Sequence, residues 1–315
     1  MSTTNSAMIN KIMAKEVDPR KLMYGMQIIQ QPLVHNYHYY LNRFYSESGP
    51  PAFTNIKKVE VQNYIHAWIN SNKYTINQGG SSLCGPASFF VALLRRRPTL
   101  YVKAVTELYL YGITKIGNLV IIPSDKTKNA KLKGKIDGAD WVILASLRDS
   151  ENTSLRYDDP SKEFAGITMP SDMVKWFKQA GATQVTHDYG IAFPKGINNL
   201  AAANDKFKNG FSVCLFVNMA MIANVMFTPP SPNHWVLLTS TITSDNKILT
   251  PIIAKKISSD ITMAEMSAGE DDPDVEYDLQ FQIFTWGNKN YIVHRKKSDT
   301  KDILNYYYGY VAAKW

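Results

Sequence analysis

Residues 78–88 read Gln-Gly-Gly-Ser-Ser-Leu-Cys-Gly-Pro-Ala-Ser and join a polar loop to an apolar segment. The apolar block Ala87 to Leu94 is unbroken and ends at Arg95-Arg96-Arg97-Pro98. A proline is tolerated in the first turn of a helix, and cationic residues in the last turn interact favourably with the helix dipole. The sequence therefore predicts a buried helix that begins at Cys84 or Gly85.

A cysteine at the start of this helix is suited to nucleophilic chemistry. The thiolate is the reactive form, and the N–H groups at a helix N-terminus stabilise it and lower the thiol pKa. Gln78 lies six residues upstream, so its amide can donate to a developing oxyanion together with the Cys84 N–H. Gly79, Gly80 and Gly85 let the backbone bend there. We therefore predict Cys84 as nucleophile, Gln78 as oxyanion donor and Gly85 as a support of the site.

The segment Gln78 to Ser88 resembles the glutamine and cysteine motif of the papain-like cysteine peptidase superfamily, most closely its bacterial C39-like branch. The resemblance implies an α+β, papain-like two-lobed fold, with an N-terminal helical lobe and a C-terminal antiparallel β-sheet lobe. It also implies a histidine base at the start of a strand in the sheet lobe. The segment 233–239, Asn-His-Trp-Val-Leu-Leu-Thr, is similar to that strand, which makes His234 the expected base and Trp235 an expected support.

The third part of the motif departs from the family pattern. Papain-type enzymes have Asn-Ser-Trp-Gly, in which the asparagine orients the histidine and the tryptophan shields the contact. Residues 284–287 of this chain read Phe-Thr-Trp-Gly, so Phe284 replaces the asparagine and cannot hydrogen bond to an imidazole. Trp286 matches the shielding tryptophan.

Another side chain must then orient the histidine. Strand alternation places Gln282 on the same face as Phe284 and Trp286, so Gln282 is the predicted orienting residue. Asp278 and Asp245 are alternatives, although an aspartate in the turn Ser244-Asp245-Asn246-Lys247 commonly serves the turn itself.

Turn residues and apolar patterns divide the chain. Residues 1–50 are predicted to form an N-terminal helical extension that ends at the linker Ser-Gly-Pro-Pro, 48–51. Residues 51–315 form the predicted catalytic domain, with a helical lobe over 51–181 and a sheet lobe over 182–315. Strands are predicted at 182–187, 211–217, 234–243, 248–257, 275–286 and 291–295, and a final helix at about 300–313.

Composition narrows the class of protein. The 315-residue chain has a net charge of +8, but its basic residues are scattered apart from 95–97 and the stretch 126–135, and no basic stripe with interleaved aromatics predicts nucleic-acid binding. No apolar run is long enough for a membrane helix.

Metal-ligand spacings are missing, so no metal or cofactor is expected. The second cysteine, Cys214, falls in a predicted strand and is expected to be an inert core residue.

The expected activity is cysteine-dependent hydrolysis of amide bonds, with proteolysis of a protein or peptide substrate first. Deamidation, transglutaminase-type acyl transfer and peptidoglycan amidase activity use the same apparatus. Phe284 also leaves open a binding module that keeps the fold without catalysis.

A second, wider resemblance concerns biological use. The long helical N-terminal part, Asp140-Trp141 to Ser150-Glu151-Asn152, the His-Trp strand and the C-terminal Tyr-Tyr-Gly-Tyr-Val-Ala-Ala resemble papain-like effector toxins of bacterial secretion systems, type VI above all. This implies a cognate immunity protein and a component of the secretion apparatus as partners. The first 25 residues contain no apolar signal-peptide core, so the protein is expected in the cytoplasm of the producing cell, with export into a target cell by another route.

Overall fold

A computed structural model describes residues 30–71, 76–152, 168–222, 231–267, 277–295 and 300–315, together with residues 23, 26, 27, 159 and 160. The chain divides into two compact units, Met1–Gly181 (unit 1) and Ala182–Trp315 (unit 2). Helices and a curled antiparallel sheet are both present, so the predicted α+β class is confirmed.

The described part of unit 1 is mostly helical. Its helices are α1 (Tyr37–Ser46), α2 (Lys58–Ser71), α3 (Cys84–Arg96), α4 (Pro98–Tyr111), α5 (Asp125–Lys128), α6 (Gly138–Glu151) and α7 (Pro170–Gln179), and its hairpin strands are β1 (Thr114–Ile116) and β2 (Leu119–Ile121). The predicted helix at Cys84 is confirmed. Gly112 ends α4 in the left-handed conformation, with φ +68°, which glycine adopts at little cost.

Three buried helices, α3, α4 and α6, form the core of unit 1. On α3, every residue from Cys84 to Leu94 is buried, which explains the unbroken apolar run. Phe89 packs against Trp176 and Phe177 of α7, with ring centroids 5.9 and 5.2 Å apart. The first turn of α3 is thus fixed by a helix that is packed on all sides.

The described part of the predicted N-terminal extension belongs to this unit. Helix α1 packs against α4 through the buried residues Tyr40, Leu41 and Phe44. Beyond the turn at 48–51, the Ala52 N–H donates to the Tyr109 carbonyl at 2.9 Å. These contacts anchor residues 37–52 in unit 1. The part of the extension before residue 30 lies outside the described ranges, apart from residues 23, 26 and 27.

Unit 2 is built on one antiparallel sheet. Its strands are β3 (Gln184–Tyr189), β4 (Ser212–Val217), β5 (His234–Leu238), β6 (Thr243–Ser244), β7 (Lys247–Ile248), β8 (Leu279–Thr285), β9 (Asn288–Arg295) and β10 (Tyr307–Lys314). The order is β3-β10-β4-β5-β8-β6-β7, and β9 also pairs with β8. Helices α8 (Gly196–Lys208), α9 (Pro251–Ser267) and α10 (Thr300–Asn305) complete the described part of this unit.

The predicted strand at 248–257 is wrong. Only Lys247–Ile248 is a strand, and the helix α9 begins at Pro251. Thr250 caps this helix, since its side-chain oxygen accepts from the Ile253 N–H at 3.3 Å and its carbonyl accepts from the Ala254 N–H at 2.8 Å. A threonine followed by a proline is a helix-start signal, and here it overrides the β-branched composition.

The predicted final helix at 300–313 is also wrong over most of its length. Helix α10 ends at Asn305, and β10 follows and pairs with both β3 and β4. A strand paired on both sides and buried on both faces has no alternation that could reveal it. Gly309, with φ +116°, allows a close approach to β3, because a Cβ atom there would lie 2.2 Å from the Asp188 carbonyl oxygen.

Two kinds of feature are absent from the described residues. No helix there is long and apolar enough to cross a membrane. In the same residues, no group of three or more histidine, cysteine or acidic side chains is arranged to hold a metal ion.

Candidate functional site

Cys84 is the first residue of α3, and its side chain is buried. The residue before it, Leu83, offers no side-chain acceptor to the first turn of the helix, although its carbonyl accepts from the Ala87 N–H at 2.9 Å. The backbone N–H groups at the start of α3 and the positive end of its dipole therefore lie close to the Cys84 thiol. Cys84 thus lies at the end of α3 where backbone N–H groups interact favourably with a negative charge.

The Gln78 amide is held by its own loop. Its Nε2 donates to the Ser81 carbonyl at 2.9 Å, and the Ser81 hydroxyl donates back to the Gln78 carbonyl at 2.5 Å. Both side chains are buried. An amide nitrogen carries two protons, so this clamp fixes the Gln78 side chain with one N–H used and one remaining.

The same loop is attached to the segment before α6 through main-chain contacts. The Gly80 N–H donates to the Lys135 carbonyl at 2.8 Å, and the Gly79 N–H donates to Asn77 Oδ1 at 2.9 Å. Gly79 has φ +56°, and a Cβ atom on it would lie 2.1 Å from the Lys135 oxygen. Only glycine fits this close contact without moving the backbone.

Gly85 is confined as tightly. A Cβ atom at this position would lie 2.3 to 2.8 Å from three side-chain atoms of Thr168, a buried residue that precedes α7. The absence of a side chain at position 85 therefore lets the start of α3 pack directly against Thr168.

A buried carboxyl group lies beneath the loop. Asp140 of α6 accepts from the Tyr64 hydroxyl at 2.7 Å, and the hydroxyls of Tyr64 and Tyr101 are 3.1 Å apart. Burial raises the pKa of Asp140 well above its usual value, although Tyr64 and the Asn77 backbone N–H favour the charged form. Asp140 thus joins α6 to Tyr64 of α2, whose hydroxyl also lies next to that of Tyr101 on α4.

We expect Asp140→Asn to change how stability depends on pH. Because the folded pKa is raised, the folded unit retains a proton that the unfolded chain releases, and stability declines as pH rises above about 4. The asparagine variant, which cannot titrate there, should decline less between about pH 5 and about pH 9 in urea unfolding. Glu60→Gln, an exposed acid on α2 of the same unit, is the matched control. Identical slopes for wild type and Asp140→Asn would contradict the expectation.

In unit 2, His234 is the first residue of β5, and two asparagines fix the chain around it. Asn233 donates its N–H to the Val217 carbonyl at 3.0 Å and accepts from the Met219 N–H at 2.8 Å. The Asn218 side chain, which is buried, donates to the Ser231 carbonyl at 2.6 Å. The strand therefore begins at a defined position rather than fraying.

The imidazole of His234 has two defined contacts. Nε2 lies 2.9 Å from the Thr285 hydroxyl oxygen, and the ring stacks on the Trp286 indole with centroids 5.0 Å apart. Both His234 and Thr285 are 2% exposed. Burial lowers the pKa of His234 to about 4, because the charged form is desolvated. At neutral pH the ring is therefore uncharged, which is the state a general base requires.

The orienting residue is therefore Thr285, in place of the predicted Gln282. Leu238 pairs with Ile283, and Leu237 pairs with Phe284. His234 and Leu238 point to one face of the sheet, and Thr285 joins them there. Gln282, two residues from Phe284, points to the face opposite to His234, contrary to the prediction that Gln282 orients the histidine. Nothing in one strand reveals this; only the register with β5 does.

The two alternative aspartates lie in the turn region. The Asp278 N–H donates to Asp245 Oδ1 at 3.2 Å, and Asp245 and Asn246 have φ +48° and +61°. These are the angles of the two-residue turn between β6 and β7, which asparagine and aspartate tolerate. Asp245 therefore stabilises this turn.

The two tryptophans differ in position. Trp235 lies on the face opposite to His234 and stacks on Phe216, with centroids 4.5 Å apart. Trp286 contacts His234 and forms, with Gly287, the turn between β8 and β9. Its φ of +45° is unusual for a bulky residue and costs of the order of 1 kcal/mol. The strained turn holds the indole on the imidazole.

Cys214 lies on β4 and is fully buried. Burial raises the pKa of its thiol, so the thiolate is disfavoured. The predicted inert role fits this environment.

In unit 1, Ser81 clamps Gln78 in the loop that leads to Cys84 and Gly85 at the start of α3. In unit 2, His234 contacts both Thr285 and Trp286. Sequence reasoning missed Thr285, Thr168 and Asp140. For Thr285 a signal existed, since it is the polar residue next to the Trp-Gly pair. Comparisons of the chain with protein-family models, curated proteins and solved structures gave no match.

Proposed function

We propose that the protein is a cysteine-dependent hydrolase of amide bonds, with a papain-like fold in which unit 1 is the helical lobe and unit 2 the sheet lobe. Cys84 is the nucleophile, Gln78 the oxyanion donor and His234 the base. The observation that carries the proposal is the start of α3, where Cys84 follows a loop that clamps the Gln78 amide through Ser81. A structural cysteine would need neither feature.

The base in this proposal is a neutral imidazole. With its Nε2 proton donated to the Thr285 hydroxyl oxygen, His234 keeps a lone pair on Nδ1 that takes the proton from Cys84 Sγ. The Trp286 ring covers the imidazole and limits the access of water to it. Thr285 is thus a positioning residue that selects the ring orientation and the useful tautomer.

The sulfur then attacks the carbonyl carbon of an amide. The developing oxyanion is stabilised by the second N–H of Gln78 and the backbone N–H of Cys84, donors that are already oriented before the reaction. The imidazolium returns its proton to the leaving amine, and water hydrolyses the thioester to release the acid and the free thiol.

Proteolysis is the reaction that we propose first, and use as a secreted effector with a cognate immunity protein rests on the family resemblance. Mass spectrometry of treated proteins separates the alternatives by their products. A protease yields new termini, a deamidase converts glutamine to glutamate, and a transglutaminase joins an amine to the substrate. Cleared zones on cell-wall sacculi without protein cleavage would indicate an amidase.

The reactivity of the thiol tests the proposal without a known substrate. In a Cys214→Ala background we expect Cys84 to react with iodoacetamide at about pH 6 to 7 at least about tenfold faster than a small-molecule thiol, because the helix N-terminus stabilises its anion. His234→Ala should lower the rate constant only by the part that general-base deprotonation contributes, because a neutral imidazole does not stabilise the thiolate. The measurement is the second-order rate constant of alkylation across pH.

Cys84→Ala in the same background is the control, and it should show no alkylation. A Cys84 that reacts no faster than the small thiol, in a chain that is folded by circular dichroism, would contradict the proposal and favour a non-catalytic binding module.

A further inference from the structure

A short basic loop lies beside the Gln78 loop. We call residues 131–135, Lys-Leu-Lys-Gly-Lys, the basic loop. Its lysines, Lys131, Lys133 and Lys135, are all exposed, and within the described parts of the chain none of them forms an ion pair. By contrast, the nearby Lys128 is buried and is paired with Asp125 at 2.5 Å. The basic loop therefore presents three ammonium groups to solvent that form no ion pair within the described residues.

The basic loop has a fixed position relative to the candidate oxyanion donor. The Lys135 carbonyl accepts from the Gly80 N–H at 2.8 Å, and the missing Cβ of Gly79 allows this approach. Because these are main-chain contacts between adjacent loops, the backbone of the basic loop is held next to the Gln78 loop. Each lysine stem can still adjust to a bound group.

The backbone of the basic loop is strained at a lysine. Lys133 has φ +52° and Gly134 has φ +73°, and the Lys135 N–H donates to the Leu132 carbonyl at 3.0 Å. Turns of this kind favour asparagine or glycine at both central positions. A lysine held there exposes its charge at the tip of the turn, and strained residues of this kind cluster at functional sites.

We infer that the proposed hydrolase selects protein substrates that carry acidic side chains close to the scissile amide. The inference rests on the proposed function, since it takes Gln78 as the point where the reacting carbonyl is held. Carboxylates of the substrate meet the ammonium groups of the basic loop, and this attraction raises the local concentration and orients the segment. The exposed Asp137, which follows the loop, offsets part of the charge.

Alkylation by two reagents of different charge tests the inference without a substrate. Iodoacetate and iodoacetamide form the same bond with the sulfur and release iodide, but only iodoacetate is an anion. We expect the ratio of their rate constants at Cys84 to fall roughly fivefold at about 10 mM salt in the variant Lys131→Gln/Lys133→Gln/Lys135→Gln. The difference should shrink below about twofold at about 0.5 M salt, where charges are screened.

The matched control removes the same charge from the other end of α3. In Arg95→Gln/Arg96→Gln/Arg97→Gln the lost charges begin about 16 Å along the helix from Cys84. At about 10 mM salt, where the screening length is about 30 Å, this control should show a clearly smaller fall than the lysine variant, and at about 0.15 M salt it should keep the wild-type ratio. An unchanged ratio in the lysine variant, or an equal fall in both variants, would overturn the inference.

A second experiment, which uses peptide substrates, identifies the preferred class of substrate directly. A mixture of unmodified peptides is incubated with the protein, and cleavage positions are read by mass spectrometry. We expect aspartate and glutamate to be enriched within about four residues of the cleaved bond, and the enrichment to be lost in the lysine variant. Cleavage without acidic preference would overturn the inference and leave the hydrolase intact. A thiol without enhanced reactivity would instead contradict the proposed function.

Discussion

If the protein is the proposed hydrolase, Gly79→Ala is expected to lower amide hydrolysis by about a hundredfold, because the substitution moves the loop that orients Gln78. The added Cβ would lie 2.1 Å from the Lys135 carbonyl oxygen, which belongs to the main chain and cannot rotate away. The positive φ of +56° adds a further penalty for any residue with a side chain. With the Gly80 to Lys135 hydrogen bond also lost, the free energy of unfolding should fall by about 3 kcal/mol.

The neighbouring glycine provides the control. A Cβ atom on Gly80 would come no closer than 3.9 Å to the same oxygen, which is ordinary van der Waals contact. Gly80→Ala should therefore stay within about 0.5 kcal/mol of wild type and retain most of its activity. Urea unfolding and initial rates of peptide cleavage measure both effects. Equal behaviour of the two variants would show that the close approach at Gly79 is not required.

The parts of the fold that depend on local chemistry could be predicted from the sequence. The apolar run after Cys84 and the arginines that end it are the ordinary signals of a buried helix, and α3 begins at the predicted cysteine. A glycine after Tyr111 ended the next helix in the same way. Such signals depend on a few neighbouring residues, so they can be recognised without knowing the structure of the rest of the chain.

The errors occurred where pairing in three dimensions decides the structure. Residues 307–314 form a strand because β3 and β4 flank them, and their own apolar sequence is compatible with a helix. The choice of Gln282 failed for the same reason. Which face a residue of β8 occupies relative to His234 follows from its register with β5, and a single strand carries no information on that register.

The group beside the His234 imidazole is a hydroxyl, that of Thr285. A hydroxyl, like an asparagine amide, can accept a hydrogen bond from the ring but carries no formal charge that would stabilise an imidazolium. Desolvation therefore dominates, and the pKa of the ring falls to about 4. In the proposed mechanism the resting pair is then a neutral imidazole and a thiol whose anion depends on the helix N-terminus of α3.

Acid is consequently expected to destabilise unit 2 through His234. Its pKa is about 4 when folded, against 6.5 for an unperturbed histidine, so between these values the unfolded chain binds a proton that the folded unit does not. Stability is therefore highest above about pH 6.5 and declines as the pH falls toward about 4, by about 3 kcal/mol from this residue. The measurement is the free energy of urea unfolding at about pH 7 and about pH 4, followed by circular dichroism.

His234→Gln separates this contribution from the general effect of acid. A glutamine can still donate to Thr285 but does not titrate, so the variant should start less stable at neutral pH and lose less on acidification. His187→Gln, at an exposed position of β3, removes a histidine from the same sheet and should keep the wild-type slope. If His234→Gln and wild type lose equal free energy, the imidazole is not desolvated as the structure indicates. A smaller loss in the variant would support a neutral buried base, on which the proposed proton transfer from Cys84 depends.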